Sequence, residues 1–403
     1  MKALVVGGGP AGLMAAERLA AGANNVTVID SRRSVGRTLL LAGRSGLNLT
    51  HSEPLDDFLP RYGAARRLLE PMVRAFDPDA LRAWADELGA ETYVGSSGRV
   101  FPAVHKATPL LRAWLDRLAD QGVAFRTGLR WTGFIDGGIA VIDDAGTSET
   151  LTADRVVLAL GGGSWPRVGG DGSWMEILRN AGVECTDLAA ANAGVLVDWS
   201  PTFLEKFEGE PLKNVAVSAG AESIRGEPVV TRIGLEGGPI YGLGPSIRAQ
   251  LAAVRTATLH IDLHPDISNN GLSIRLETRR PKDSQSTWLR RAGIKPVGIS
   301  LMREATRNRL PDDAATMAAL AKAVPVTISA MAPIERAIST AGGVAWSAVD
   351  ESLQLRDRPG VYIAGEMLDW EAPTGGYLLQ ACFSTGAWTG SVPSGDSGTL
   401  RQV

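Results

Sequence analysis

The sequence predicts an α/β fold: a doubly wound, mostly parallel sheet with a dinucleotide site at the carboxyl ends of its strands. Two observations carry this. The first thirty residues read as strand, glycine turn, helix and strand ending in an acid. A second continuous apolar run, Val156–Leu160, ends in Gly161-Gly162-Gly163. Buried parallel strands read as unbroken apolar runs, and glycines at their ends leave room for a ligand at the crevice of an open sheet.

The opening stretch begins with Ala3-Leu4-Val5-Val6. The turn that follows fits G-x-G-x-x-G at Gly7, Gly9 and Gly12, and Leu13, Ala16, Leu19 and Ala20 then keep helical spacing. The three glycines do different things. Gly7 permits the tight turn, Gly9 lets a diphosphate approach the backbone, and Gly12 lets helix and strand pack closely. The helix N-terminus offers free N–H groups and a positive dipole end to phosphates. Val26-Thr27-Val28-Ile29 ends at Asp30, eighteen residues past Gly12, where a carboxylate suits a ribose 2′-hydroxyl and disfavours a 2′-phosphate. The motif alone does not separate FAD from NAD.

Composition sets bounds. The chain has 403 residues, with 44% hydrophobic and 21% charged residues, and a formal net charge of −3. This is ordinary globular composition and gives no global reason for a polyanionic partner. The two cysteines, Cys185 and Cys382, form no C-x-x-C pair, which argues against a disulfide framework, structural zinc or a dithiol centre. The four histidines are scattered. His260 and His264 have helical i,i+4 spacing with no third ligand, so no metal site is expected. No apolar run reaches membrane-spanning length and no signal peptide is evident. A cytoplasmic protein with no membrane partner is the expectation.

In chain order, Gly36 to Thr50 forms a glycine-rich loop carrying Arg37, Arg44 and Asn48. It reads either as a wrap around something polar, with Arg37 reaching a diphosphate, or as a solvated surface loop. Residues 54–120 read as mainly helical, with Leu68, Met72, Phe76, Leu81, Trp84 and Leu88 as core. Short β segments follow at Val123–Arg126 and Ala140–Ile142, joined through Trp131–Phe134. From about residue 190 short strands mark a small β unit. From Leu272 to Leu310 the chain is strongly basic and reads as a helical insert with one basic side, either a solvated face or a surface for RNA. Gly360–Glu366 returns to buried-strand texture, an apolar helix runs from Leu378 to about Gly390, and the polar tail is expected to be disordered.

Seven motifs together resemble one family. They are GGGPAG; Gly36-Arg37 with AGRSGLNLTHSEP (Ala42–Pro54); GRVFP (Gly98–Pro102); LALGGGSWP (Leu158–Pro166); VVTRIGLEGGPIYGL (Val229–Leu243); TAGGV (Thr340–Val344); and IAGEMLDWEAPTGGYLLQACFSTG (Ile363–Gly386). The chain resembles the bacterial FAD-dependent oxidoreductases known as HI-type conserved flavoproteins with an inserted domain, relatives of the glutathione-reductase-like flavoproteins. The resemblance implies a Rossmann-like FAD-binding domain in two segments, residues 1–190 and 335–395, with an inserted β plus helical domain at 191–334 and a tail at 396–403. It implies that FAD is held by Gly7, Gly9, Ala11 and Gly12 at the diphosphate, Asp30 at the ribose, and Arg37 and Asn48 in the lining loop. Trp131 would stand at the adenine, where relatives carry a smaller aliphatic residue. Gly161 and Gly162 would lie near the ribityl chain, and Gly365, Glu366, Gly375, Gly376 and Tyr377 around the flavin ring.

Thr38 departs from the lysine the family often has, and Leu47 stands where many members have cysteine. The function implied is electron transfer through FAD between NAD(P)H, bound transiently, or an organic substrate and an acceptor. The alternatives are an RNA-modifying flavoenzyme of the uridine-reducing type that uses Arg275–Arg309, or a non-catalytic flavin- or NAD-binding protein. No nucleophile–base constellation stands out. His105, Lys106 and Tyr377 are the proton-transfer candidates, and His105 also reads as a structural residue.

Overall fold

The computed structural model describes residues 1–43, 46–136 and 138–391. Arg44 and most of the predicted tail lie outside the described residues. The chain divides into two compact units: Met1–Ala189 together with the chain from Ser339, and Ala190–Ile338.

The first unit is built on a parallel sheet of five strands: Lys2–Val6 (β1), Asn25–Asp30 (β2), Ala124–Thr127 (β3), Arg155–Leu158 (β4) and Val361–Ile363 (β5). Their order is β5-β4-β1-β2-β3. Every pairing is parallel, with Val5 opposite Val28 and Val157, and Val157 opposite Tyr362. The central strands carry unbroken apolar runs, Ala3–Val6 and Val156–Leu158, because both faces are covered. Ala3 and Val5 join a core with Leu13, Trp114 and Phe383, while Leu4 and Val6 join another with Ile29, Trp131 and Trp174.

Pro10–Ala21 (α1) crosses from β1 to β2, and Tyr377–Ser391 (α2) packs along it. A Cβ on Gly390 would come 2.7 Å from the Ala15 carbonyl, and one on Gly386 would strike the Ala11 carbonyl, so glycine is what lets the two helices touch. The same layer buries Glu17, whose carboxylate accepts from Trp84 Nε1 (3.1 Å) and Trp114 Nε1 (2.5 Å) and pairs with Arg117 (3.3 Å).

The sequence expectation differs from the structure in three places. The connection through Trp131–Phe134 is itself a strand, Leu129–Ile135, in an antiparallel sheet with Gly138–Asp143 and Ser148–Leu151. It breaks register between Trp131 and Gly133, and that bulge hid the alternation. The predicted helical region contains Tyr93–Val94 and Arg99–Phe101, which form a small sheet with Thr50–His51; these strands are too short to show a period. His260 lies in the strand Ala257–Asp262, so its spacing to His264 is not helical.

The second unit has two four-stranded antiparallel sheets, with Val217 opposite Ile261 and Val195 opposite Leu235. The basic run forms the helices Asn269–Glu277, Gln285–Arg291 and Pro296–Ala305. Much of its charge is engaged locally. Arg279 lies over Trp288 at 4.7 Å and faces Asp312 at 3.6 Å, Arg291 pairs with Asp283 at 2.5 Å, and Arg303 donates to Ser286 at 2.8 Å. No helix among the described residues is long and apolar enough to cross a membrane.

Candidate functional site

The site begins where β1 ends. Gly7 turns with φ +106°, and a Cβ there would strike the Ala159 carbonyl beyond β4. Gly9 is the N-cap of α1 in extended conformation, with no side chain capping it, and Pro10 has no N–H to satisfy. The first helical bond runs from Leu13 N–H to the Gly9 carbonyl. The amides of Ala11 and Gly12 are therefore left without an intrahelical acceptor, as at any helix start.

Asp30 anchors the opposite side of the turn. Its carboxylate accepts from Gly8 N–H (2.9 Å) and Arg32 N–H (2.7 Å). Burial raises its pKa above the ordinary aspartate value; those two N–H groups and the Arg32 and Arg37 charges pull against that without cancelling it. Each carboxylate oxygen retains a lone pair for another donor. Beside it opens a cleft lined by Gly7, Asp30, Arg130, Trp131, Leu160 and Trp174, among others.

The other glycine stretches converge on the same strand ends. Gly162 has no space for a Cβ, which would overlap Thr340 Oγ1 and lie 3.0 Å from the Glu366 carboxyl carbon. Glu366 is half-buried and accepts from Thr340 N–H (2.8 Å) and Oγ1 (3.2 Å); desolvation raises its pKa and these bonds lower it by less. Gly365 has φ +73°, and a Cβ there would sit 2.8 Å from Ala11 Cβ. The C-terminal motif thus returns to the start of α1. Gly376, at φ +101°, lies against the Thr50 backbone at 2.5 Å from where its Cβ would be. Asn48 sits between two backbone bonds, Leu47 N–H to His105 O (3.1 Å) and Leu49 N–H to Val100 O (2.9 Å). Its buried Oδ1 has no partner among the described residues.

The structure therefore brings together Gly7, Gly9, Ala11, Gly12, Asp30, Gly162, Gly365 and Glu366. Gly161 adjoins them and accepts from Trp174 Nε1 through its carbonyl (2.9 Å). Trp131 is 4% exposed and shares the cleft with Asp30. Gly376 lies against the Thr50 backbone, two residues from Asn48, and Gly375 lies under the Tyr377 ring. Arg37 is exposed and donates to Ser34 Oγ (3.0 Å), and Lys106 is exposed at the start of Ala107–Asp120.

Tyr377 is not a free acid. Its hydroxyl donates to Glu53 Oε1 (2.6 Å), and burial followed by that bond raises its pKa well above the usual phenol value. Glu53 also takes two bonds from Arg61 (2.9 and 3.2 Å). Burial pushes the Glu53 pKa up, but the hydrogen bonds from Arg61 and Tyr377 outweigh it and hold the carboxyl below its ordinary value. His51 stacks on Tyr377 with centroids 5.6 Å apart. Sequence reasoning missed this cluster, because nothing local announces a pairing between residues 324 apart. Cys382 is half-buried, and desolvation of its thiol raises the pKa and makes it a poor nucleophile.

Residues 1–392 match the family described as the HI0933-like protein Rossmann domain. The chain belongs to this family. HI0933-like proteins are FAD-binding oxidoreductases, and the chain is a flavin-dependent enzyme of that class with FAD as its cofactor. A curated relative, the 3-dehydro-bile acid delta(4,6)-reductase of Clostridium scindens, is 25% identical over 402 residues, covering 96% of this chain and 97% of the relative. Among solved structures, a flavocytochrome c3 fumarate reductase in its open conformation matches with TM-score 0.54 at 16% identity, covering 97% of this chain and 77% of that one. The 3-ketosteroid delta1-dehydrogenase of Sterolibacterium denitrificans matches with TM-score 0.51 at 14% identity, covering 96% and 98%. These two show a shared fold.

The residues present fit FAD. An uncapped helix start suits a diphosphate, the Asp30 carboxylate has acceptor capacity for ribose hydroxyls, and the partnerless buried oxygen of Asn48 calls for an N–H donor.

Proposed function

We propose that this chain reduces a carbon–carbon double bond conjugated to a ketone in an apolar, polycyclic small molecule, with NAD(P)H as the transient electron donor. The observation that carries the reading is the 25% identity to the Clostridium scindens reductase, which runs nearly end to end in both proteins. When bound, FAD supplies the hydride chemistry.

The chain's own part is binding and orientation. Ala11 and Gly12 offer amides to the diphosphate, with Gly7 and Gly9 giving close backbone approach. Asp30 takes the ribose, and Trp131 forms the adenine wall of the cleft beside it. Arg37 adds positive charge near the same turn. Gly161, Gly162, Gly365 and Glu366 support the middle of the cofactor. Asn48, Gly375, Gly376 and Tyr377 serve the ring, Tyr377 being held by Glu53 so that its backbone keeps the turn. Backbone donors aimed where negative charge develops on reduction lower the barrier. In this reading residues 191–334 form an inserted domain, and the enzyme works in the cytoplasm. An RNA substrate rests only on the basic run, and the engaged arginines weaken that argument.

The test is product analysis. FAD-loaded protein, NADH or NADPH and a 3-dehydro-delta(4,6) bile acid are incubated without oxygen, and the steroid is examined by mass spectrometry. Gain of two hydrogens per turnover supports the reading. Unchanged steroid under conditions where the flavin is reduced refutes it.

A further inference from the structure

Reduction of a polarised double bond needs a proton as well as a hydride, and several groups of the first unit that could give one are engaged elsewhere. Tyr377 donates to Glu53, Tyr62 donates to the Tyr377 carbonyl (3.0 Å), and Glu366 accepts from Thr340 N–H and Oγ1. One titratable pair is different. Tyr93 Oη and His105 Nε2 lie 2.5 Å apart, and both side chains reach the surface.

Three further observations mark this pair. His105 is a non-glycine residue at φ +55°, and backbone strain of that kind persists only where the surroundings over-determine it. Its N–H donates to the Pro102 carbonyl (2.9 Å), and its carbonyl receives Leu47 N–H (3.1 Å), directly beside Asn48. The surroundings are also apolar. Tyr93, Val94 and Val104 are 39%, 43% and 56% exposed, and the Phe101 ring lies 5.4 Å from His105 and 6.0 Å from Tyr93. A large apolar group laid on this face would meet a phenol and an imidazole already hydrogen-bonded to each other.

We propose that Tyr93 is the proton donor of the reduction and that His105 positions and reprotonates it. The inference rests on the double-bond reading above. The hydride half of the reaction brings both electrons to one carbon. The bond from Tyr93 Oη to its hydrogen then breaks and a C–H bond forms at the neighbouring carbon. With His105 carrying hydrogen on both ring nitrogens, the proton on Nε2 passes to Tyr93 Oη and leaves a neutral imidazole, which solvent reprotonates. Hydrogen on Nε2 serves this step, because it turns the phenol's own proton outward. Tyr93 is the catalytic residue and His105 the positioning one.

The test uses the FAD-loaded full chain, reduced without oxygen and mixed with a 3-dehydro-delta(4,6) bile acid, as wild type, Tyr93→Phe and His105→Asn. Tyr93→Phe is expected to lower kcat by about 10²- to 10⁴-fold with KM changed less than about threefold. His105→Asn should lower kcat by a smaller factor, again with little effect on KM. Independently of activity, protein labelled with nitrogen-15 in its imidazoles should show the His105 Nε2 resonance moving in Tyr93→Phe, as the hydrogen bond is lost. Flavin absorbance and Tm should match wild type in both variants, since both side chains are exposed. If wild type reduces the steroid and Tyr93→Phe does so within threefold, the proton-donor assignment is overturned and the substrate reading stands. An unmoved resonance overturns the pairing. If wild type leaves the steroid unchanged, the substrate reading fails and the role given to Tyr93 fails with it.

Discussion

Replacing Gly12 with alanine should disturb the centre of the cofactor site through a single methyl group. The new Cβ would overlap the Gly7 carbonyl oxygen and stand 3.2 Å from Val5 Cγ1. Gly7 cannot retreat. Its N–H is bonded to the Ile29 carbonyl at 2.8 Å, β1 is paired on both sides, and the space behind Gly7 is filled by Ala159. Restoring ordinary contact of about 3.5 Å would require α1 to move off β1 by on the order of 1 Å. The helix is pressed from its other side by α2 at Gly386 and Gly390, so the shift is resisted there too. Overpacking of this kind costs about 1–3 kcal/mol, and in a protein of this size each kcal/mol lowers Tm by about 1 °C. The same shift displaces the Ala11 and Gly12 amides. Loss of a similar energy from FAD binding corresponds to about a 5- to 150-fold rise in Kd. Titration of apoprotein with FAD by flavin fluorescence, together with a melting curve, measures both. A Gly12→Ala protein that binds FAD within threefold of wild type and melts at the same temperature would refute the idea that the turn is closed by contact between these two glycines.

Other perturbations follow from the same geometry. Glu17→Ala leaves two buried indole N–H groups without their shared acceptor, while Arg117 keeps Glu87 at 3.5 Å, so it should cost about 2–4 kcal/mol and show as a clear loss of Tm; an unchanged melting curve would contradict the network. Glu53 is held below its ordinary pKa in the folded protein, so its contribution is present above the unfolded value near 4.5 and disappears as pH falls through the lowered folded value. Wild type should therefore lose Tm more steeply than Glu53→Gln on going from pH 6 to pH 3, and parallel curves would argue against the ion pair. Asp30→Ala removes the acceptor for Gly8 and Arg32 N–H and should weaken FAD binding by tenfold or more, as read by equilibrium dialysis. Joint substitution of Arg279, Arg280, Arg290 and Arg291 by alanine should leave steroid reduction within about twofold, and a large loss would reopen the case for a polyanionic substrate.

The parts of the fold legible in the sequence were those carried by local pattern. The unbroken apolar runs at Ala3–Val6 and Val156–Leu160 announced strands buried on both faces, and the glycines at 7, 9 and 12 announced the turn, where close backbone contact at Gly7 and Gly12 leaves no room for a Cβ. The strand through Trp131 was not legible, since its bulge breaks the period of two. Arg99–Phe101 was too short to show any period. The site divides in the same way. Its glycines and Asp30 stand at fixed offsets from a strand, which a sequence displays. The bonds from Tyr377 to Glu53 and from Tyr93 to His105 depend on loops meeting in space. Tyr93 offered no signal at all beyond being an aromatic residue in a region that reads as mainly helical.

The central claim is that electrons held on the bound flavin go to a conjugated double bond. The most direct measurement mixes anaerobically reduced holoenzyme with a 3-dehydro-delta(4,6) bile acid in a stopped-flow spectrometer and follows the return of the oxidised flavin absorbance. Reoxidation that saturates with steroid concentration, with one steroid reduced per flavin, is the expected result. Flavin that stays reduced with the steroid, and is reoxidised only when oxygen is admitted, would contradict it.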